Sequence, residues 1–374
     1  MQSQNRYFVK FLRFACPFWH SEQQTQIRKR TFSLLLLTLL QIVIAVVITD
    51  WSAELFNAFE QHSMPGLLAQ ISNLALIFMA SMDITALHLK VKRDLQISWR
   101  SWLTARVICK WMYHGHAEQV THLLTAGHDN PDGRIAEDIR IATDEAVNLC
   151  HSLLYSVLLL ISFTAILWQL SGTIVLELGE LTIPITGHLV WIAMFYAGVA
   201  SMLGWWAGRP LTLTTNAMQT VEANFRFSLV KARESTRDIA HQHAEVQVQK
   251  RFFGLFQEII GVYNLQTQAW ATITLFTSGY AVLSMAFPIL VAAPRYIIDA
   301  ITLGALMQSV QAFQQLAAAL SWPVNNMAPI AQWFASVDRV LELVDALNDL
   351  DPSLDGYSAP QNSTDGVTMI ELEG

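Results

Sequence analysis

Charge is scarce in this chain. Only 14% of its 374 residues are Asp, Glu, Lys or Arg, where soluble domains carry about 25%. The apolar residues lie in long blocks, which excludes one large soluble core and points to a membrane. Cysteine is scarce too. Cys16, Cys109 and Cys150 are odd in number and show no paired spacing, so neither a disulfide framework nor a Cys-x-x-Cys metal site is expected. The closest histidine pairs, His114/His116 and His241/His243, sit two apart. Helical neighbours that share a ligand sit three or four apart, so no metal site is expected. No G-x-x-x-x-G-K-[ST] phosphate loop occurs, no Leu-Ser-Gly-Gly and no Walker B strand. Hydrolysis of ATP by this chain alone is therefore not expected, no catalytic residue is assigned, and no nucleic-acid partner is implied. No cleavable signal peptide is apparent. Arg28-Lys29-Arg30 precede an apolar run that ends at Asp50-Trp51 without a small-residue cleavage site, and that run reads as a first span.

Six stretches read as spans: 31–51, 65–89, 148–170, 188–208, 263–290 and 300–322. About 20 apolar residues cross the hydrocarbon. A soluble bundle would alternate polar and apolar helix faces, whereas 33–47 is apolar nearly all round. The cations then set the orientation. Six precede the first span, eight lie in 90–140, seven in 209–251, and Arg339 follows the last span. The segments 52–64 and 171–187 hold none, which leaves Arg295 as the sole cation on the other side. Both termini are expected in the cytoplasm. Trp51, Trp168, Trp191, Trp205 and Trp206 fall near span ends, as an interfacial belt requires.

The two cation-rich loops, 90–147 and 209–262, are long, and the loops on the other side are short. Mixed apolar and charged periodicity without internal proline over 98–124 and 221–256 predicts helices. The simplest construction extends the flanking spans into the cytoplasm, about 30 Å for 20 extra residues, and joins them by short turns. The fold class expected is all-α integral membrane: six transmembrane helices with long cytoplasmic helical extensions.

One local motif stands at the start of the third span's extension. Asn130 or Asp129 can cap a helix, Pro131 suits its first position, and Asp132 favours the positive helix start. The run Asn130-Pro131-Asp132-x-Arg134-Ile135-x-Glu137-Asp138 resembles the coupling-helix signature of ABC exporter-type membrane domains. The group concerned is that of the peroxisomal fatty-acyl (subfamily D) half-transporters and their bacterial relatives. Those include SbmA/BacA-like peptide permeases and fused permease–ATPases for vitamin B12, bleomycin or antimicrobial peptides. Gly133 stands where that family usually has Gln. A second run, Glu222-Ala223-Asn224-Phe225-Arg226 through Arg233-Glu234 to Ile239-Ala240, resembles the family's EAA-like segment. Arg237 departs from an acidic or neutral residue there, and His243-Ala244 from a common Gly-Gly. Asp50-Trp51 through Glu60, Ala293-Pro294-Arg295-Tyr296 with 301–308, and Ser336-Val337-Asp338-Arg339-Val340 also match in order.

The resemblance implies a homodimer around a central cavity, alternating access, and a bacterial inner-membrane location. It assigns Asn130, Pro131, Asp132, Arg134, Glu137, Asp138, Glu222, Phe225, Arg226, Arg233 and Glu234 to coupling with an ATPase. No cofactor is expected on the chain itself, ATP and magnesium belonging to that ATPase. Residues 1–345 form the transmembrane domain and 346–366 a linker. The alternating 367–374 resembles the opening strand of a nucleotide-binding domain. Polar residues inside spans are costly and mark function or helix contacts. Gln308, Gln311 and Gln315 share one face of the sixth span, flanked by Ser309 and Gln314, and Gln268, Thr272 and Ser278 lie on the fifth. They are candidates for lining a cavity that takes a small molecule, a peptide or a lipid-like substrate, or for helix glue. Asn73 and Asp83 are weaker candidates, Asp83 expected to be paired locally. Two other functions stay open: a proton-coupled permease that works without an ATPase, and a non-transporting remnant.

Overall fold

In the computed structural model the described residues are 15–21, 24–113, 131–178 and 181–350. A helical turn over 15–19 precedes α1 (Gln24–Glu60), α2 (Met64–Trp111) and α3 (Pro131–Ser171). A hairpin of β1 (Thr173–Leu178) and β2 (Leu181–Thr186) leads to α4 (His188–Glu234), α5 (Thr236–His241) and α6 (Glu245–Ile297). Then come α7 (Leu303–Leu320), α8 (Trp322–Asn325) and α9 (Met327–Leu350). Helices α1, α2, α3, α4 and α6 are each long and apolar enough to cross a membrane. As expected of the spans flanking the two long loops, α2, α3, α4 and α6 run on past their apolar stretches: α2 is 48 residues and α6 is 53. In α2 no residue of the most apolar stretch is buried, and Leu76, Phe78 and Met79 are largely exposed. Such a surface cannot face water. The sixth expected span, 300–322, is α7, shorter at 18 residues and carrying four glutamines.

The chain forms two compact units. The first comprises residues 1–48, 68–158 and 325–374, as far as these are described. Beyond its apolar stretch α2 becomes amphipathic and buries Leu95, Gln96, Trp99, Leu103, Val107 and Lys110 at helical spacing. Trp99 stacks on Phe18, with ring centroids 5.7 Å apart. Ala142, Ala146 and Val147 of α3 and Val337 and Leu341 of α9 complete that core. A second cluster joins Leu103 and Val107 to Ile135, Ile139, Val340, Leu343 and Leu347.

Polar contacts set the register between α3 and α9, which run antiparallel. Trp333 donates to the carbonyl of Ala142 at 3.1 Å. Asp138 accepts two bonds from Arg339, at 2.8 and 2.6 Å, and one from Ser336 Oγ at 3.0 Å. Arg134 donates to the Arg339 carbonyl at 2.8 Å and to Glu342 at 3.1 Å. Residues Arg134–Asp138 form a π-helical turn, the widened helix geometry that recurs at functional sites. It brings Arg134 and Asp138 inward while Asp132, Ala136 and Glu137 stay exposed.

The second unit comprises residues 49–67 and 159–324. Here the end of α1 pairs with the start of α7. Thr302 caps α7 by accepting from the Ala305 amide at 3.2 Å. The amides of Leu303 and Gly304 donate to Glu60 and Asn57, each at 3.1 Å. These satisfy donors that the first helical turn cannot, and Glu60 also suits the positive helix start. Gly304 lies so close to the Ala53 carbonyl and the Asn57 side chain that no Cβ fits. Pro288 inside α6 has no N–H, which leaves the Ser284 carbonyl without its helical donor. Gln314 of α7 supplies one at 3.3 Å.

Arg295 donates to the carbonyls of Leu170 and Ser171 in the last turn of α3, a cation placed where the helix dipole favours it. Gly172 follows at φ 61°, and a Cβ there would meet the Arg295 guanidinium at 2.7 Å. The β1–β2 hairpin pairs Thr173 with Thr186 and Leu178 with Leu181. It is an addition to the expected all-helical fold within a loop read only as short. The continuous helix expected over 221–256 is interrupted at Ser235 and again at 242–244, where His243 adopts φ 50°.

Two stability outcomes follow. Gly304→Ala forces a side chain onto Ala53 and Asn57, so the detergent-solubilised chain loses about 1–3 kcal/mol, read from its thermal unfolding midpoint. Asp138→Asn removes a carboxylate from a nearly buried network and costs about 2 kcal/mol. Glu342→Gln costs under about 1 kcal/mol in the same assay, because the Glu342 side chain is 65% exposed. Equal losses for the last two would contradict this ranking.

Candidate functional site

The sequence assigned two groups of residues to coupling, and the structure divides each by burial. In the first group Arg134 and Asp138 are buried and engaged with α9. Their bond lengths mark charge-assisted contacts. The hydrogen bonds that Arg339 donates to Asp138 raise its guanidinium further above its ordinary value, so that cation stays charged at any working pH. Pro131 is half-buried, and Asp132 and Glu137 are exposed. Glu137 makes a long contact with Arg140, at 3.9 Å. Gly133 has helical angles, φ −63° and ψ −39°, so the departure from glutamine does not break the helix start. Asn130 lies outside the described residues.

In the second group Phe225 sits across from Phe252 and Phe256, ring centroids 6.4 and 6.0 Å away, and so clasps α4 to α6. Glu222, Arg226, Arg233 and Glu234 are exposed, as are Arg237 and Asp238 beyond them. Helix α5 and its flanking turns therefore present a charged tip. His243 in that tip holds the left-handed conformation in which glycine is favoured. This gives a physical reason for the Gly-Gly of the family resemblance at these positions.

The cavity candidates also divide. Gln308 donates to Asp50 at 2.6 Å, and Gln311 to Ser52 Oγ at 2.7 Å. Both hold α7 to α1, which is the helix-glue alternative. Gln315 is half-buried and makes no hydrogen bond among the described residues. Gln268 and Thr272 are exposed, and the Thr272 hydroxyl donates back to the Gln268 carbonyl at 3.0 Å. Asp83 is exposed on α2 and pairs with no described residue, contrary to the local pairing expected. Its helical neighbours Met79, Met82 and Leu87 are apolar and exposed. They leave the carboxylate nothing to bond with.

One pair was not anticipated. The rings of His88 on α2 and His151 on α3 lie 4.4 Å apart, and the Nε2 atoms of both lack a hydrogen-bond partner among the described residues. A scan for histidines three or four apart could not find it, because the two stand on different helices. Burial and the neighbouring Arg93 lower the Lys92 ammonium one turn on, and Glu145 acts against them.

Comparison with known proteins adds the following. The family described as ABC transporter transmembrane region 2 matches residues 12–297. The chain is 28% identical over 350 residues to the inner membrane ABC transporter ATP-binding protein YddA of Escherichia coli, covering 89% of this chain and 60% of that one. It is 27% identical over 316 residues to an uncharacterized ABC transporter ATP-binding protein of Haemophilus influenzae, covering 81% and 52%. It is 26% identical over 372 residues to ABC transporter D family member 2, chloroplastic, of Arabidopsis thaliana, covering 98% and 50%. The chain thus spans about half the length of these relatives. The match runs through all five helices long and apolar enough to cross a membrane, and this multi-pass membrane protein belongs to the ABC transporter transmembrane region 2 family.

Proposed function

We propose that the chain is the membrane-spanning half of a homodimeric ABC-type transporter that moves its substrate by alternating access. The ATPase that drives it lies beyond residue 374 or on another chain, and binds the ATP and magnesium. The single observation that carries this reading is the family match across the membrane helices. The names of the relatives, which describe ATP-binding proteins about twice as long, support the ATPase. The exposed charges fit the same reading. Asp132 and Glu137 at the start of α3, with Arg233, Glu234, Arg237 and Asp238 around α5, are free to meet a partner domain. Both tips lie on the cation-rich side, which the positive-inside rule puts in the cytoplasm. The printed name of the Escherichia coli relative supports a bacterial inner membrane. The substrate class is a small molecule, a peptide or a lipid-like compound.

A second reading, proton-coupled uptake without an ATPase, has one observation in its favour. Asp83 is a carboxylate in an apolar stretch with no described partner, and such residues mark ion or proton paths.

The test reconstitutes the chain with the ATP-binding half encoded in frame or in the adjacent gene. Stable binding and ATP hydrolysis that depends on this chain are expected, and Glu137→Lys with Glu234→Lys lowers that hydrolysis at least tenfold. Failure of any such ATPase to bind removes the first reading. Uptake of a labelled peptide into ATP-free vesicles, driven by a pH gradient and abolished by Asp83→Asn, would establish the second. The α5 tip carries its own prediction: His243→Gly relieves a left-handed residue and raises stability by up to about 1 kcal/mol. Thermal unfolding in detergent reads this, and a lower midpoint would show that His243 makes a compensating contact.

A further inference from the structure

Arg28, Lys29 and Arg30 are consecutive, yet the helix sends them different ways. Successive residues turn by about 100° around an α-helix. Arg30 points toward α2 and donates to Ser98 Oγ at 2.5 Å. Arg28 and Lys29 are exposed and make no ion pair among the described residues. With Gln24, Thr25 and Phe32 they line an open groove of about 400 Å³, and none of these five residues is acidic.

The groove begins a longer pattern. Positions 24, 28, 32, 36, 39, 43 and 47 recur at helical spacing, so they share one face of α1. Phe32 is 69% exposed and Val43 54%, and Leu36, Leu39 and Val47 are exposed as well. The opposite face, with Ile27, Leu34, Thr38 and Ile42, is buried. The outward face therefore changes chemistry once along its length. Hydroxyl and amide groups come first, at Thr25 and Gln24. Two cations follow one turn on, and an aromatic ring the turn after that. Beyond Phe32 the exposed positions of this stripe are apolar.

We infer that this groove binds the headgroup of an anionic phospholipid, with the acyl chains lying along the stripe from Phe32. The order of groups matches such a lipid from its polar end inward. Arg28 offers a planar fork for two phosphate oxygens, and Lys29 a second charge. Gln24 and Thr25 can hydrogen-bond glycerol hydroxyls, and Phe32 marks the level where hydrocarbon begins. A free phosphate would use the cations and leave the apolar stripe unused. A zwitterionic lipid would set its own cation against Arg28 and Lys29. The site needs only the membrane placement of α1, and it holds whether or not an ATPase drives the chain.

The experiment measures lipid binding by native mass spectrometry of the purified full chain. Phosphatidylglycerol and phosphatidylcholine of matched acyl length are titrated separately. Each juxtamembrane cation adds about fivefold to affinity for anionic lipid, so R28Q/K29Q loses roughly thirtyfold for phosphatidylglycerol. Its binding of phosphatidylcholine should not change. K250Q/R251Q removes two exposed cations from α6 and retains wild-type affinity. Phe32→Ser weakens both lipids, which checks the apolar half of the site independently of charge. Unchanged phosphatidylglycerol binding by R28Q/K29Q overturns the proposal. So does an equal loss in K250Q/R251Q, which would mean diffuse attraction. Displacement of the lipid by glycerophosphate or inorganic phosphate at matched concentration would make it a phosphate site and overturn the assignment to lipid.

Discussion

Hydrocarbon gives apolar helices no reason to prefer each other over lipid, so helix pairing in a membrane depends on close packing and polar contacts. The second unit of this chain meets that constraint with a polar seam, and the first carries a polar seam of its own where α3 extends beyond its apolar stretch. In the first, Asp138 and Arg134 meet Ser336, Arg339 and Glu342. In the second, Asp50, Ser52, Asn57 and Glu60 meet the first turns of α7. Small residues let the seams close. Gly304 admits the α1 backbone, and buried Ala142 and Ala146 sit beneath the first seam. Proline is accommodated by the same means. The carbonyl that Pro288 leaves without a donor is taken up by Gln314 rather than left bare.

The first seam changes what the motif at the start of α3 is for. Its two innermost charged residues are occupied inside the chain, and only Asp132 and Glu137 remain outward. A residue already bonded on three sides, as Asp138 is, has little left to offer a docking partner. Under the proposed function, its contribution to coupling is to fix the helix that carries the exposed residues. The π-helical turn serves both needs. Within it Arg134, Ile135 and Asp138 lie on the buried side, while Ala136 and Glu137 point away. Under the proposed function, force applied to the exposed tip of α3 passes into α9 through two ion pairs whose α3 side chains, Arg134 and Asp138, are buried while their partners Glu342 and Arg339 reach the surface. Such pairs resist displacement more than surface contacts do.

How much of this was legible in the sequence depended on the range of the interaction concerned. Apolar runs and cation placement are local, and they gave the long helices and their extensions past the membrane. The partners of polar residues are not local. Gln308 and Asp50 are 258 residues apart, and Arg134 and Glu342 are 208 apart. Helical spacing shows that Gln308 and Gln311 share a face, but it cannot say that the face meets α1. The His88–His151 contact escaped for the same reason. Two signals were present and carried less weight than they deserved. The β-branched residues clustered at 173–175 and 182–186 on either side of a glycine are a strand signal, and the Gly-Gly common at positions 243–244 in similar sequences points to a left-handed residue.

Asp83 is where these strands of reasoning meet. The second seam gives Asp50 and Ser52 partners from another helix, as polar groups near the membrane require. Asp83 has no partner among the described residues, and the apolar side chains of α2 around it are exposed. A charged carboxylate in contact with lipid costs several kcal/mol. A face that needs hydrocarbon on either side of a group that needs water or a cation is incomplete in one copy. In the proposed homodimer that face would line a hydrated cavity, which supplies the carboxylate with water while the surrounding methionines and leucines remain apolar walls. The placement of Asp83 fits the proposed pairing. Under the second proposed reading, proton-coupled uptake, this carboxylate is the one through which the proton would act.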